Sequence, residues 1–508
     1  MPGPELRDIS DPCLVLDLKD EAATARLAED IAAVLSSCDL IALSGDLGAG
    51  KSTFARALLR TLAHDDDLEV PSPTFTLVQT YDFDRFAVSH FDLYRLEEPE
   101  ELEELGLDEL LETGAALVEW PEQGGDLLPD GVLWLRFEAG EDDDSRRVLF
   151  ASDRADWPER LDRTLKIRQL LTQSGLGAGH RRHLTGDAST RSYERVSSDI
   201  GTAVVMNWPA PKGDAGSEAA LAYNRLVHRA PDARAFVAVG EELRGKGFAA
   251  PAVFASDLEA GLLVLEDLGS GSVLSNGTPI AERYEQAVLV LAGMHGVLWP
   301  ESVRLPDGSD YKVPVYSREA LQTEADLYLD WYVPHVTGNA ASASAREEFH
   351  RLWQAAFDAI ADAETGWVLR DYHSPNLIWR ESLSGLSRVG LIDYQDTVIG
   401  PVAYDVASLL LDARADIPQA LEKDLHQAYV LARQSADPDF DEAGFSAAYA
   451  VMGAQRITKI LGIFIRLAER DGKPAYLDHL PRMQSYLDRV LMHPVLSDLK
   501  LWYDGNRS

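Results

Sequence analysis

Two groups of residues in this 508-residue chain have the types and spacing that phosphate chemistry requires. The first, Gly45 to Ser52, reads Gly-Asp-Leu-Gly-Ala-Gly-Lys-Ser, which is the pattern of a complete phosphate-binding loop. The second places Asp371 five residues before Asn376, and an apolar run ends at Asp393, 17 residues further on. Such a trio matches the catalytic base and two metal ligands of kinase-type phosphoryl transfer. Because the two patterns belong to unrelated folds, we predict two separate ATP sites.

The first group has a specific role for each residue type. Its glycines let backbone N–H groups turn inward around a phosphate at the start of a helix. Lys51 is predicted to bridge the β- and γ-phosphates, and the Ser52 hydroxyl to bind Mg²⁺. Asp92 and Glu119 follow apolar runs and are the best candidates for nearby carboxylates, although Asp92 alone is equally consistent with a strand-end cap. The loop residues predicted to bind nucleotide are Gly45, Asp46, Gly48, Ala49, Gly50, Lys51, Ser52 and Thr53.

The elements around the first group are those that a phosphate loop requires. Residues 40–44 read as a buried strand, and the apolar spacing of 53–63 predicts a helix directly after the loop. Asp92 and Glu119 end two further strand candidates. The remaining elements predicted in this half are strands at 87–92, 115–119, 133–137 and 147–151 and helices at 20–36 and 97–112. The 97–112 helix carries nine carboxylates and is predicted to be solvated, with a partner-docking face as the minority interpretation. This order predicts an α/β P-loop NTPase fold.

The second half of the chain changes in character. Residues 152–166 are polar and charged, which predicts a linker at 153–165 between a domain at 1–152 and another at 166–508. A glycine-rich stretch at 175–179 is predicted to be a turn. Short strands are predicted at 192–196, 202–206, 253–255 and 262–265, and helical patterns dominate after residue 280. A small strand-rich lobe followed by a large helical lobe predicts an α+β, protein-kinase-like fold.

The composition indicates which cellular compartment and which kinds of binding partner to expect. The net charge is −37, from 84 acidic against 47 basic residues, and such a field opposes broad contact with nucleic acid or anionic membranes. Any role in nucleic-acid chemistry is therefore expected to act through a partner protein. Cys13 and Cys38 form neither a disulfide framework nor a metal-binding pattern, which favours a reducing compartment. With no signal peptide or membrane-spanning run, we expect a cytoplasmic protein.

Four motifs stand out in the first half: Gly45-Asp-Leu-Gly-Ala-Gly-Lys-Ser-Thr53, Val70-Pro-Ser-Pro-Thr-Phe-Thr76, His90-Phe-Asp-Leu-Tyr-Arg95 and Glu119-Trp-Pro-Glu122. Together they resemble the TsaE family, which supplies the ATPase subunit for threonylcarbamoyladenosine modification of bacterial tRNA. The resemblance covers roughly residues 15–150 and shows no departure in these motifs. It implies ATP and Mg²⁺ as cofactors and the TsaB and TsaD proteins as partners, which would themselves contact the tRNA.

The same resemblance implies roles for individual residues. Ser52, Asp92 and Glu119 are expected to surround Mg²⁺, with Lys51 and Glu119 taking part in catalysis. Thr74 is expected on a switch-like loop that senses the nucleotide. Trp120 is expected close to the nucleotide.

The second group resembles the aminoglycoside phosphotransferase superfamily, which carries a His two positions after the catalytic Asp, as His373 follows Asp371 here. The resemblance implies that Asp405 braces the catalytic loop and that Asn376 and Asp393 bind Mg²⁺. His373 is interpreted as a hydrogen-bonded organiser of the loop. It is a structural residue in that interpretation, as is Asp405.

Four motifs carry a closer resemblance over nearly all of residues 165–505. They are Asp187-Ala-Ser-Thr-Arg-Ser-Tyr193, Leu265-Glu-Asp-Leu-Gly269, Leu369-Arg-Asp-Tyr-His-Ser-Pro-Asn376 and Gln455-Arg-Ile-Thr-Lys-Ile-Leu-Gly-Ile-Phe464. They resemble the AmgK anomeric sugar kinases, which phosphorylate the 1-hydroxyl of N-acetylmuramate and N-acetylglucosamine during cell-wall recycling. The resemblance implies an amino-sugar substrate and ATP, with Glu266 to Leu268 expected to form the hinge that contacts adenine through its backbone.

One departure concerns the kinase lysine that holds the α- and β-phosphates. The strand at 202–206 continues into Asn207 and Trp208 and has no such lysine. Arg191 is the first candidate to replace it, ahead of Arg195 and Lys212. The catalytic loop also opens with Leu-Arg where many relatives carry His before the Asp.

Alternatives remain open at this level. Helix residues Arg456 and Lys459 face either a sugar carboxylate or acids of the helical lobe itself. The second half could act on choline, homoserine or an aminoglycoside. It could also be a degenerate nucleotide-binding module that regulates the first half, although its intact Asp371, Asn376 and Asp393 disfavour that hypothesis.

Overall fold

The computed structural model describes residues 12–184 and 191–506. The chain forms two compact units. The first contains the residues up to Asn207 together with Phe254–Asp257 and Leu262–Leu265. The second contains Trp208–Val253, Leu258–Gly261 and Glu266–Ser508. Within the described residues, no helix combines the length and apolar composition that a membrane crossing requires.

The first unit is built on a seven-stranded sheet in the order β1-β7-β6-β2-β5-β4-β3. Its strands are β1 (Leu14–Leu18), β2 (Leu40–Gly45), β3 (Val78–Tyr81), β4 (Val88–Asp92), β5 (Ala115–Glu119), β6 (Leu133–Ala139) and β7 (Arg146–Ala151). Strands β6, β2, β5 and β4 run parallel, and β1, β7 and β3 are antiparallel to their neighbours. The sheet therefore has the parallel centre that the predicted α/β fold requires.

Apolar side chains cover both faces of this sheet. Ile41 and Leu43 pack on one face with helices α1 (Glu21–Val34) and α2 (Lys51–Ala63), whereas Leu40 and Ala42 pack on the other. Alternate residues of a strand point to opposite faces, so a run that is apolar at every position belongs in the centre of a covered sheet. This burial holds the carboxyl ends of the central strands in place.

The acidic stretch predicted as one helix at 97–112 is instead two short helices. These are α3 (Glu101–Glu104) and α4 (Leu107–Leu111), separated by Gly106 with φ of 69°. A left-handed residue cannot continue an α-helix, and glycine adopts this conformation without a steric penalty. The prediction of a continuous helix is wrong for that reason.

Residues 153–165, predicted to be a linker, lie mostly in a long helix, α5 (Asp156–Gln173). The polar composition concealed a buried face, on which Trp157, Leu161 and Thr164 are almost fully covered. A five-stranded sheet follows in the order β11-β12-β10-β9-β8. Its strands are β8 (His180–Leu184), β9 (Ser192–Ser198), β10 (Gly201–Asn207), β11 (Val253–Asp257) and β12 (Leu262–Glu266).

A buried group of charges joins this second sheet to helix α1, which packs on the first sheet. Arg181 of β8 donates to Asp30 of α1 at 2.6 Å and to Glu194 of β9 at 2.6 and 2.9 Å. Arg168 of α5 donates to the same Asp30 and to Glu29. We call these five residues the junction cluster.

The second unit is mainly helical. Its helices are α6 (Glu218–Leu226), α7 (Ala233–Gly245), α8 (Ala281–His295), α9 (Arg318–Leu327), α10 (Val333–Thr337), α11 (Ala343–Asp358), α12 (Ala403–Leu410), α13 (Gln419–Ala436), α14 (Glu442–Glu469), α15 (Leu480–Val490) and α16 (Ser497–Asn506). Short two-stranded sheets pair β13 (Leu274–Ser275) with β14 (Thr278–Pro279), β15 (Ser302–Arg304) with β16 (Asp310–Lys312), β17 (Thr365–Val368) with β20 (Val398–Pro401), and β18 (Leu377–Trp379) with β19 (Val389–Leu391). The predicted order of a strand-rich part followed by a helical part is therefore observed.

Candidate nucleotide-binding sites

The phosphate loop lies between the end of β2 and the start of α2. Gly45 has φ of 130°, and a Cβ atom there would lie 2.3 Å from the Phe137 carbonyl oxygen. Gly50, with φ of 113°, occupies the N-cap position before Lys51. Both positions exclude larger residues on conformational grounds, and Gly45 also on contact distance. The loop therefore has the backbone path that its glycine pattern predicted.

The Lys51 ammonium lies within this loop and is almost fully buried. It donates to the carbonyl oxygens of Gly45 at 2.6 Å and Asp46 at 2.9 Å. The centre of the Trp120 ring lies 3.7 Å from the ammonium, a cation–π contact. Burial lowers the pKa of Lys51, and the nearby Glu119 carboxylate acts in the opposite direction. The structure thus brings together a loop cation and the aromatic ring that sequence analysis expected beside the nucleotide.

Asp92 and Glu119 end adjacent parallel strands and are direct partners in the β4–β5 register. Glu119 accepts a hydrogen bond from the Ser52 hydroxyl at 2.7 Å and contacts His90 Nε2 at 2.9 Å. The predicted metal residues Ser52, Asp92 and Glu119 therefore meet at the carboxyl edge of the sheet. His90 is an additional member of this site, and the quoted motif contained it without assigning it a role.

Asp92 holds the segment that contains Thr74. Its Oδ2 accepts hydrogen bonds from the Ser72 and Thr74 hydroxyls, each at 2.6 Å. The Asp92 backbone N–H donates to the Leu77 carbonyl at 3.0 Å. A change in the environment of this carboxylate would therefore be transmitted to residues 72–77. Sequence analysis predicted a switch-like position for Thr74 but did not identify Ser72.

The oxygen atoms at this edge are of the kind that Mg²⁺ prefers. No cluster of three or more His, Cys, Asp or Glu side chains suited to a metal occurs in residues 12–184 and 191–506. A Mg²⁺ ion here would accordingly share protein oxygens with nucleotide phosphates, as this ion commonly does. Arg146 supports the loop from outside, since its Nε donates to the Ala49 carbonyl at 3.0 Å. No sequence signal had marked Arg146.

Asp405 fixes the backbone of the kinase-type loop just before Asp371. Its two carboxylate oxygens accept from the backbone N–H groups of Leu369 at 2.6 Å and Arg370 at 2.9 Å. Asp405 is fully buried, and burial raises its pKa to about 7 although these two donors act in the opposite direction. Arg370 has φ of 70°, so the chain turns sharply just before Asp371. This is the bracing geometry that the resemblance implied for Asp405.

Asp371, Asn376 and Asp393 converge in the second unit. The Asn376 amide nitrogen donates to the Asp371 carbonyl at 2.9 Å and lies 3.5 Å from Asp393 Oδ2. Gln395 donates to the other Asp393 oxygen at 3.0 Å. Burial tends to raise the pKa of Asp371, but His373 and neighbouring cations hold it below its ordinary value. An ionised carboxylate is the form that can accept a proton.

His373 lies in the same loop, and burial lowers its pKa. Its Nε2 lies 3.4 Å from the Asn376 amide, and its Nδ1 lies 4.0 Å from Asp412. Asp412 accepts from the Ser374 N–H at 2.9 Å and from the Tyr284 hydroxyl at 3.0 Å. Asp412 thus fixes the loop from a second side, a role that sequence analysis missed because nothing near Asp412 resembles a motif.

Glu324 of α9 is a buried acid that binds two cations, Arg370 and Lys459, next to the catalytic loop. It accepts from Arg370 Nη2, from the Tyr316 hydroxyl and, at 2.8 Å, from Lys459. Burial alone would raise the pKa of Glu324, but Lys459 and Arg370 lower it to about 2. Of the two interpretations left open for Lys459, the structure favours an acid of the helical lobe.

The hinge and the small-lobe residues can be placed only in part. The Glu266 N–H donates to the Ala252 carbonyl at 2.8 Å, and its side chain accepts from the Ala252 N–H at 3.2 Å. Leu268 follows it, directly after β12. Arg191 lies just before β9, whereas residues 187–190 of the same motif fall outside the described residues. The role of Arg191 stays a prediction.

The position where a kinase lysine is expected has a cationic neighbour. Asn207, at the end of β10, accepts a hydrogen bond from Arg163 Nε at 2.6 Å. Arg163 lies on α5, in the stretch predicted to be a linker, and sequence analysis therefore did not consider it.

Two family matches cover different parts of the chain. Residues 18–148 match the family described as "Threonylcarbamoyl adenosine biosynthesis protein TsaE", and residues 180–443 match the family described as "Phosphotransferase enzyme family".

Curated relatives follow the same division. An N-acetylmuramate/N-acetylglucosamine kinase of Caulobacter vibrioides is 38% identical over 347 residues, which is 66% of this chain and 94% of that protein. The protein of the same name from Pseudomonas putida is 31% identical over 63% of this chain and 87% of its own length. A tRNA threonylcarbamoyladenosine biosynthesis protein TsaE of Rickettsia conorii is 40% identical over 24% of this chain and 69% of that protein. The chain therefore belongs to two families, TsaE through its first part and the phosphotransferase enzyme family through its second.

Proposed function

We propose that the chain is a bifunctional cytoplasmic protein. Its first part is an ATPase subunit that supports threonylcarbamoyladenosine modification of tRNA, and its second part is an ATP-dependent kinase for the anomeric hydroxyl of N-acetylmuramate and N-acetylglucosamine. The observation that carries the kinase proposal is 38% identity across 94% of a curated kinase for these sugars. The same identity does not favour a kinase for another metabolite or a degenerate regulatory module.

In the proposed kinase reaction, Asp371 accepts the proton of the sugar C1 hydroxyl. As O1 forms a bond to the γ-phosphorus of ATP, the bond from that phosphorus to the bridging oxygen of ADP breaks, and sugar 1-phosphate leaves with ADP. Asn376 and Asp393 supply the oxygen atoms that would hold Mg²⁺, which neutralises charge on the phosphates when bound. The low pKa of Asp371 keeps it in the proton-accepting form near neutrality.

In the proposed ATPase, Lys51 would contact the β- and γ-phosphates, and Ser52, Asp92 and Glu119 would hold Mg²⁺. The hydrogen bonds from Ser72 and Thr74 to Asp92 support a loop that responds to the nucleotide. The TsaB and TsaD proteins are the proposed partners. The net charge of −37 favours tRNA contact through those partners.

The test combines purified protein, ATP and Mg²⁺ with each sugar and detects sugar 1-phosphate. Asp371→Asn should abolish sugar phosphorylation and leave support of tRNA modification intact, whereas Lys51→Ala should do the reverse. Each variant is the other's control, because both remove one charge from one site. Loss of both activities in either variant would refute two independent sites.

A further inference from the structure

Arg456 of α14 is a buried cation that forms no ion pair with a carboxylate of the described residues. Its side chain is nearly inaccessible, and Nη1 has no hydrogen-bond partner. Within the described residues, no carboxylate lies within ion-pair distance of it. A buried, unpaired guanidinium is costly, so it calls for an anionic partner.

The neighbouring cations differ from Arg456 in this respect. Lys459, one turn along the same helix, is bound by Glu324 at 2.8 Å, and Arg370 donates to the same carboxylate. Glu324 also accepts the Tyr316 hydroxyl, so its oxygens are fully engaged. Of these two cations on helix α14, Lys459 forms a direct ion pair and Arg456 does not.

Arg456 lies near the catalytic base without pairing to it. Its charge contributes to holding the pKa of Asp371 low, yet the two side chains are not within 4 Å of each other. Asp405, the other acid that Arg456 influences, is occupied by two backbone N–H groups. A substrate whose hydroxyl meets Asp371 would therefore bring its other groups close to Arg456.

The two sugars of the proposed function differ in one charge. N-acetylmuramate carries a lactyl ether on C3 that ends in a carboxylate, and N-acetylglucosamine has a hydroxyl there. A guanidinium binds a carboxylate through two parallel hydrogen bonds, a geometry that lysine does not reproduce. The γ-phosphate is the other anion of the proposed reaction, and that proposal assigns its metal to Asn376 and Asp393, which lie 3.5 Å apart.

We propose that Arg456 binds the lactyl carboxylate of N-acetylmuramate and sets the preference of the kinase site between its two sugars. This inference rests on the proposed kinase function. In this proposal Arg456 determines specificity by contacting the substrate at a group other than the reacting oxygen. Lys459 and Arg370 instead bind Glu324 and so stabilise the catalytic loop.

The test compares kcat/KM for N-acetylmuramate, its methyl ester and N-acetylglucosamine. Arg456→Gln should reduce kcat/KM for N-acetylmuramate about 10- to 100-fold, the range for losing a hydrogen bond to a charged group. Values for the ester and for N-acetylglucosamine should change less than about threefold, since neither offers a carboxylate. Arg456→Lys should reduce kcat/KM for N-acetylmuramate less than Arg456→Gln does, because lysine keeps the positive charge. Arg466→Gln, on the same helix, is the matched control and should leave the ratio between the sugars unchanged.

The remaining outcomes separate the inference from the function on which it rests. Equal losses for all three sugars would place Arg456 on the phosphoryl group or in the fold and overturn the inference. No loss for any sugar would overturn it as well. If the wild-type protein phosphorylates N-acetylglucosamine but not N-acetylmuramate, the inference fails while an amino-sugar kinase remains. If it phosphorylates neither sugar, the proposed kinase function fails, and the inference with it.

Discussion

Asp30→Asn in helix α1 should destabilise both sheets of the first unit together. Asp30 accepts four charge-assisted hydrogen bonds, from Arg168 at 2.8, 3.0 and 3.2 Å and from Arg181 at 2.6 Å. The substitution keeps the side-chain shape but removes the charge. Arg181, whose side chain is 1% exposed, would keep Glu194 as its one acidic partner.

The size of the effect follows from burial. Removing one partner of a buried ion pair costs about 3 to 5 kcal/mol. Because asparagine keeps one oxygen that can accept a hydrogen bond, we expect this variant to lose about 3 kcal/mol. For a unit of this size, that corresponds to a fall in melting temperature of about 6 to 12 °C. The exposed pair of Asp17 and Arg147, also 3.0 Å apart, has side chains 74% and 53% exposed. Asp17→Asn should therefore cost less than about 1 kcal/mol, and it is the matched control.

The assay is thermal unfolding combined with hydrogen exchange measured on peptides. In Asp30→Asn, exchange should rise in α1 and in β8 and β9 together, because one buried cluster holds these elements. A melting temperature no lower than that of Asp17→Asn would refute the reasoning. So would faster exchange confined to α1, since the second sheet would then be stable without the junction cluster.

Three further predictions concern the two sites. Gly45→Ala should abolish nucleotide binding at the first site, because its Cβ would lie 2.3 Å from the Phe137 carbonyl oxygen; wild-type affinity in a fluorescent-nucleotide titration would contradict this. His90→Ala should raise the Mg²⁺ concentration for half-maximal ATP hydrolysis roughly 10- to 100-fold, since His90 orients Glu119, and an unchanged Mg²⁺ titration would count against that role. The pKa of Glu324 is lowered to about 2 from 4.5, so its ionised form stabilises the fold above pH 4.5 and that contribution is lost as pH falls toward 2. Glu324→Gln should therefore be less stable by about 3 kcal/mol at neutral pH, with the gap to wild type closing on acidification in urea unfolding; a gap independent of pH would disprove the assignment.

Features set by neighbours in the chain were predictable. The strand, glycine loop and helix around Lys51 were predicted because buried runs, helical spacing and glycine all act over a few residues. The position of Glu119 after an apolar run also indicated its place at the edge of the sheet, where it meets Ser52 at 2.7 Å. The five-residue spacing of Asp371 and Asn376 is likewise a local signal, and it indicated the kinase-type loop.

Other features had no local signal. A polar composition suggested a linker at 153–165, but its few apolar residues fall on one helical face and are buried. Strands β1, β3 and β8 are short and were not predicted. Gly106 divided an apparently regular helix because its backbone is left-handed, which its residue type permits without requiring.

The sequence by itself indicated two families and two folds for this chain, and it supplied the candidate residues for phosphate chemistry in each part. It left Arg456 and Lys459 equivalent, as two cations one turn apart on a helix. Only the tertiary structure distinguished them, by packing Glu324, 135 residues before Lys459, against one and not the other. The reason is physical: the type of a residue limits the chemistry it can do, but the electrostatic partner of a buried charge depends on which distant segments pack together.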